Sequence, residues 1–122
     1  MTEIGESIVR KFQKELNSGT VSLVLLAILD QSSEALYGYQ IAKRLEGAAA
    51  DSVPIKQGTL YPVLRQLEAQ GLLGSTVEPS VAGPPRRYYT ITTAGREVLE
   101  QWKVTWSRTR DFVDGTLEGG RG

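Results

Sequence analysis

Between Lys56 and Gly71 the chain reads KQGTLYPVLRQLEAQG, and the spacing of its apolar residues leaves few folds open. Leu60, Val63, Leu64 and Leu67 fall at i, i+3, i+4 and i+7, which gathers them on one stripe of an α-helix. The opposite side carries Gly58, Pro62, Arg65 and Ala69, flanked by Thr59, Tyr61 and Gln66. That surface is small, polar and singly charged, and it can lie flat against a partner. Pro62 removes one hydrogen bond, to the carbonyl of residue 58, and a glycine at 58 lets that carbonyl tilt away most easily. The pattern therefore predicts a helix that survives its proline. Taken alone, such a helix fits a small bundle as well as it fits a DNA-reading element.

Its flanks narrow the choice. Gly71 stands where a helix C-cap is expected, LLGSTVE has strand character, a Pro/Gly-rich turn follows, and RRYYTIT is strongly β-prone. A helix followed by a two-stranded ribbon with a basic end outlines a winged helix-turn-helix. The expected fold is mainly α with a small β-hairpin: a winged helix-turn-helix with an added N-terminal helix and a long C-terminal helix.

Upstream, Ile4, Ile8, Phe12 and Leu16 predict a short amphipathic helix, with Arg10, Lys11, Lys14 and Glu15 between them. Asn17, Ser18 and Gly19 are expected to break it, and Thr20 to cap the next helix, VSLVLLAILD, which is apolar on nearly every side and should be buried. After a QSSEA loop, LYGYQIAKRLEGA predicts a third helix with Ile41 and Leu45 on one face and Gln40, Lys43 and Arg44 on another. AAADSVPI is read as a turn with a short strand near Val53 to Ile55. Thr92 or Thr93 should cap a final helix through about Thr116, with Leu99, Trp102, Trp106, Phe112 and Val113 as its apolar stripe. The organisation expected is an N-terminal amphipathic helix over 1–19, a winged helix-turn-helix over 20–92, a dimerisation helix over 93–117 and a disordered tail over 118–122.

Composition excludes several function classes. With no cysteine and no histidine, disulfides, thiolate chemistry and most zinc or haem ligation fall away; no metal or cofactor is expected, and no nucleophile–base pair can be named for an enzyme. Fourteen Lys and Arg balance fourteen Asp and Glu, so nothing attracts polyanions globally. Residues 10–96 are nevertheless mildly basic, with ten cations against seven carboxylates. No apolar run approaches the roughly 20 residues that span a bilayer and the N-terminus lacks a signal-peptide core, so a cytoplasmic protein without membrane contact is expected.

Three stretches, LYGYQIAKRL at 36–45, GTLYPVLRQLEAQGLL at 58–73 and GPPRRYYTITTAGREVL at 83–99, together with KFQKELNSGT near the N-terminus, resemble the PadR family of bacterial transcriptional regulators in its short form with a single C-terminal dimerisation helix. The resemblance implies a dimeric winged-helix repressor, often sensing a small and commonly aromatic compound. Lys56 stands where the family usually has a small capping residue, and Gly83, Pro84, Pro85 and Arg86 stand where it commonly has a further arginine. Arg86 and Arg87 remain as cations of the wing.

Candidate residues follow. Arg65 can bond guanine bidentately or pair with phosphate, with Gln57 and Thr59 near the helix start beside it. Its bland alternative is a solvated arginine. Tyr61 can pack its ring beside the core or reach a phosphate with its hydroxyl. Tyr39, Lys43 and Arg44 sit on the helix that crosses the phosphate backbone in this motif, while Tyr37 is assigned to the core. Arg86, Arg87 and Tyr88 form the basic rim of the wing, or a merely solvated hairpin. Trp102 and Trp106, one turn apart, either pack or form a ligand platform. The resemblance implies a pore at the dimer interface, with Trp106 as platform and Ile8 and Phe12 as walls. The functional reading is a homodimeric, sequence-specific binder of a pseudo-palindromic double-stranded DNA operator, a repressor released by a small, planar aromatic effector at the dimer interface. A winged-helix protein-interaction module without DNA binding is the alternative.

Overall fold

A computed structural model describes residues 2–49 and 55–119, apart from the side chains of 48, 49 and 57. Four helices and three strands run in the order α1 (Glu3–Gln31), β1 (Leu36–Tyr37), α2 (Gly38–Ala49), α3 (Gln57–Ala69), β2 (Leu73–Glu78), β3 (Arg86–Ile91) and α4 (Thr93–Leu117). The antiparallel sheet has the order β1-β3-β2, with Leu36 opposite Tyr89 on one side and Ser75 opposite Tyr89 on the other. The winged helix-turn-helix is thus present, and its expected hairpin is widened by a third strand. Leu36 and Tyr37, read from sequence as the start of a helix, form that strand; the helix begins two residues later than expected, at Gly38.

The expected break at 17–19 does not occur. α1 runs unbroken for 29 residues, so the boundary placed at 19 falls mid-helix. Thr2, not Thr20, is the N-cap: its hydroxyl accepts from Gly5 N at 3.0 Å, with Glu3 and Glu6 in the positive first turn. Thr20 instead donates back to the Leu16 carbonyl at 3.0 Å, and Asn17 accepts from the Gln13 amide at 2.8 Å. Physically, helix nucleation is the costly step. The half anchored by buried Val21, Leu25, Leu26, Ile28 and Leu29 already supplies it, and each further residue gains a hydrogen bond at small propensity cost.

The core is formed by that half of α1 together with Ile41 and Leu45, the α3 stripe Leu60, Leu64 and Leu67, Tyr89 and Ile91 of the sheet, and Leu99 of α4. α4 starts where predicted: Thr92 accepts from Gly95 N at 2.9 Å, and its hydroxyl donates to the Gly71 carbonyl at 2.8 Å, fixing the helix to the turn after α3. Arg96 adds an exposed ion pair to Asp30 of α1 at 3.4 Å. Outside this core lie Ile4, Ile8, Phe12 and Leu16 of α1 and Val104, Trp106, Phe112, Val113 and Leu117 of α4, all exposed. Of the strand expected near Val53 to Ile55, residues 53 and 54 lie outside the described residues and Ile55 is irregular. Of the tail, Glu118 and Gly119 close α4 in a turn and 120–122 lie outside the described residues.

Candidate nucleic-acid interface

The sequence of α3 dictates both its faces and its end. Leu60, Leu64 and Leu67 are fully buried and Val63 half-buried, leaving Gly58, Thr59, Tyr61, Pro62, Arg65, Gln66 and Ala69 open to solvent. The helix continues through Pro62. At its C-terminus Leu72 N donates to the Leu67 carbonyl and Gly71 N to the Glu68 carbonyl, both at 2.9 Å. This pair of bonds needs the left-handed backbone that Gly71 adopts at φ 80°. Among the described residues, no hydrogen bond or ion pair engages Arg65. Gln57 opens the helix, and its side chain lies outside the described residues.

Tyr61 is neither buried nor splayed into solvent; it is 39% exposed and lies across the first residue of α2. A Cβ at Gly38 would come within 2.5 Å of its ring and 2.9 Å of its hydroxyl. Glycine at 38 therefore leaves room for the Tyr61 ring to lie against the start of α2.

A string of aromatic and cationic contacts joins α2 to the wing. Tyr37 stacks on Tyr39 with centroids 6.4 Å apart and meets Tyr88 edge-on at 5.4 Å. The Arg86 guanidinium sits 4.5 Å from the Tyr37 centroid and the Lys43 ammonium 5.6 Å from that of Tyr39. Lys43 also lies 3.8 Å from Glu46, an exposed pair of little energetic weight. Arg44 is exposed on the same helix. Tyr37, assigned to the core by sequence, is the half-buried centre of this string.

The second wing arginine is held differently. Arg87 donates to Ser75 Oγ at 2.9 Å, and Ser75 Oγ donates to the Glu68 carboxylate of α3 at 2.5 Å. Sequence reasoning missed Glu68 and Ser75. The signal was the hairpin register: with Val77 opposite Arg87, Ser75 becomes its diagonal neighbour on one face. Beneath them, burial pushes the Tyr89 phenol above its usual range, with the Glu68 carboxylate adding to the effect. Tyr39, Lys43, Arg86, Tyr88 and Tyr61 thus form a joined edge from α3 across α2 to the wing. Arg87 is tied back to α3 behind it, and Arg65 stands open on α3.

The four candidate ligand residues are not brought together by one chain. Trp102 packs half-buried against the core, and Trp106 is 42% exposed one turn on. Both line a groove of about 540 Å³ between α1, the end of α3 and α4, with Leu16, Leu23, Gln70 and Thr105. Ile8 and Phe12, 63% and 58% exposed, lie further up α1 and do not line it.

Residues 25–101 match the model of the transcriptional regulator PadR-like family. A PadR family transcriptional regulator from Eggerthella lenta, solved as a crystal structure, superposes with a TM-score of 0.77; it is 36% identical, and the match covers 97% of this chain and 99% of that one. Transcriptional regulator Rv3488 of Mycobacterium tuberculosis is 49% identical over 47 residues, 38% of this chain and 43% of that protein. Bacillus subtilis PadR, solved in complex with operator DNA, shares the fold at a TM-score of 0.62 and 21% identity, over 70% of this chain and 48% of that one.

Proposed function

The chain belongs to the PadR-like family of transcriptional regulators, and from that membership we propose that it is a repressor that binds a pseudo-palindromic DNA operator as a homodimer. The observation that carries the reading is α3 itself: a helix held by a leucine stripe, with an open, small-residue face bearing one unengaged arginine. Such a face enters a major groove without clash and offers Arg65 a guanine edge. Tyr39 and Lys43 stand at the adjoining edge for phosphate contacts, and Arg44 lies exposed on the same helix. The operator complex of the B. subtilis protein, which shares the fold, supports the assignment. Bound across a promoter, a dimer of this kind excludes polymerase, which is the repressor role.

Dimerisation is supported by the apolar residues that one core leaves over, Ile4, Ile8, Phe12 and Leu16 on α1 and Val104, Trp106, Phe112 and Val113 on α4. The groove beside Trp106 is where we place a small, planar aromatic effector that releases the DNA. It acts only if its affinities for the DNA-competent and incompetent dimers differ. Tryptophan fluorescence of wild type and Trp106→Ala, titrated with planar aromatic compounds, tests it; quenching that survives loss of Trp106 contradicts the placement.

Selection from a pool of random duplexes tests the whole reading. The expected outcome is enrichment of an inverted repeat with half-sites about one helical turn, roughly 34 Å, apart. Recovery of no sequence at all points to a protein-docking module instead.

A further inference from the structure

The wing arginines are both engaged within the chain, Arg86 on the Tyr37 ring and Arg87 on the Ser75–Glu68 pair. A different set of cations is open. On the side of α3 away from the wing, a groove of about 480 Å³ runs between α3 and α1, with Arg10 and Lys14 on the α1 rim and Lys56 and Thr59 at the start of α3. Among the described residues no carboxylate lines it; the remaining polar lining includes the Gln13–Asn17 amide pair. Among the described residues, Arg10, Lys14 and Lys56 make no ion pair or hydrogen bond through their side chains.

Arg10 and Lys14 are one turn apart on α1, and Asn17 and Val21 continue their face at the next positions of the helical repeat. Ile4, Ile8 and Phe12, the residues suited to a second copy of the chain, fall on the other side of that helix. Covering the apolar stripe therefore leaves the cationic face open. The groove also adjoins Lys56 and Thr59, at the N-terminal end of α3, the end of a recognition helix that approaches base edges. A duplex seated on α3 carries its nearest phosphates past this rim.

We propose that Arg10 and Lys14 of α1, with Lys56, form a second phosphate-contacting surface that extends the DNA footprint along α1, on the flank of α3 opposite the wing. This rests on the reading of α3 as the recognition helix. The partner is the sugar–phosphate backbone, and binding to it carries no sequence information. These cations set the salt dependence of binding, since each neutralised phosphate releases condensed counterions.

The experiment measures affinity against salt concentration for the full-length chain on the duplex that wild type enriches from a random pool. For Arg10→Ala/Lys14→Ala, log–log slopes should flatten by about 0.9 for each phosphate that is no longer neutralised, while the ranking of single-base operator variants stays that of wild type. Lys11→Ala, on the same helix but outside the groove, should leave the slope unchanged. Both substitution sites are exposed, and Arg10→Gln/Lys14→Gln, which keeps helix propensity and length, should reproduce the flattening. An unchanged slope in the double variants, with wild type still binding its duplex, overturns the proposal and leaves the groove to a small anion. An equal flattening with Lys11→Ala also overturns it, because the effect is then diffuse charge. If wild type enriches no duplex, the recognition-helix reading has failed, a result distinct from either.

Discussion

Both halves of α1 carry large apolar side chains, and these meet opposite fates. Leu25 and Leu26 are fully buried, whereas Ile8 and Phe12 are more than half exposed on the same unbroken helix. The second half is the more apolar, but Ile8 and Phe12 are as apolar as Leu25 and Leu26 side chain for side chain, and their neighbours differ. From Val21 onward its apolar residues join the core with residues of α2, α3, β3 and α4, whereas Ile4, Ile8 and Phe12 before it stay exposed. A single chain thus completes one core and leaves a second apolar surface exposed, the surface on which the proposed dimer rests.

Substitution in each half breaks or sharpens the contrast. Leu25→Ala should cost about 2–5 kcal/mol, by lost transfer energy and the cavity left behind. Denaturant unfolding should show that loss at every protein concentration. Phe12→Ser should act through association: in sedimentation it shifts the chain toward monomer, and its effect on unfolding should fade on dilution. Equal, concentration-independent costs at both sites would erase the distinction. A smaller effect is expected at the junction of α2 and α3, where Gly38→Ala drives a methyl into the Tyr61 ring. The methyl meets only the far end of a partly exposed ring, which can turn aside, so a loss of about 0.5–1.5 kcal/mol is expected from the displaced rotamer, with Tyr61→Ala in the same chain restoring it.

The smallest expected effect is the pH dependence contributed by one buried phenol. Burial holds the Tyr89 pKa above its ordinary 10.0, so the folded chain favours the neutral form. Above pH about 10 the unfolded chain ionises first, and the stability this group contributes declines as pH rises through the folded value. Tyr89→Phe should remove that component of the alkaline decline, measured as unfolding free energy against pH.

What the sequence disclosed follows the same division between local and distant causes. The α3 stripe, the Gly71 ending, the Thr92 cap and the strands of the wing were legible because period, backbone freedom and capping chemistry act within a few residues. The break assigned to residues 17–19 was not there, because three weak local preferences yielded to a helix already nucleated by its buried half. β1 is two residues long and exists only through its pairing with β3, which no local pattern announces. Likewise, the arginines of the wing were legible as charges, but their engagement with Tyr37 and with Ser75 depends on sheet register. The resemblance groups Ile8 and Phe12 with the tryptophans as walls of a pore between two copies, and within one chain they do not line the groove beside Trp102 and Trp106.

The central claim, that the open face of α3 reads base edges, is tested most directly by Arg65→Ala. Affinity is measured for the selected operator and for each of its single-base variants. The expected result is a loss of about 1–3 kcal/mol on the selected operator, with discrimination relaxed at one position of each half-site and kept elsewhere. An unchanged affinity, or a uniform loss that leaves discrimination intact at every position, would contradict it.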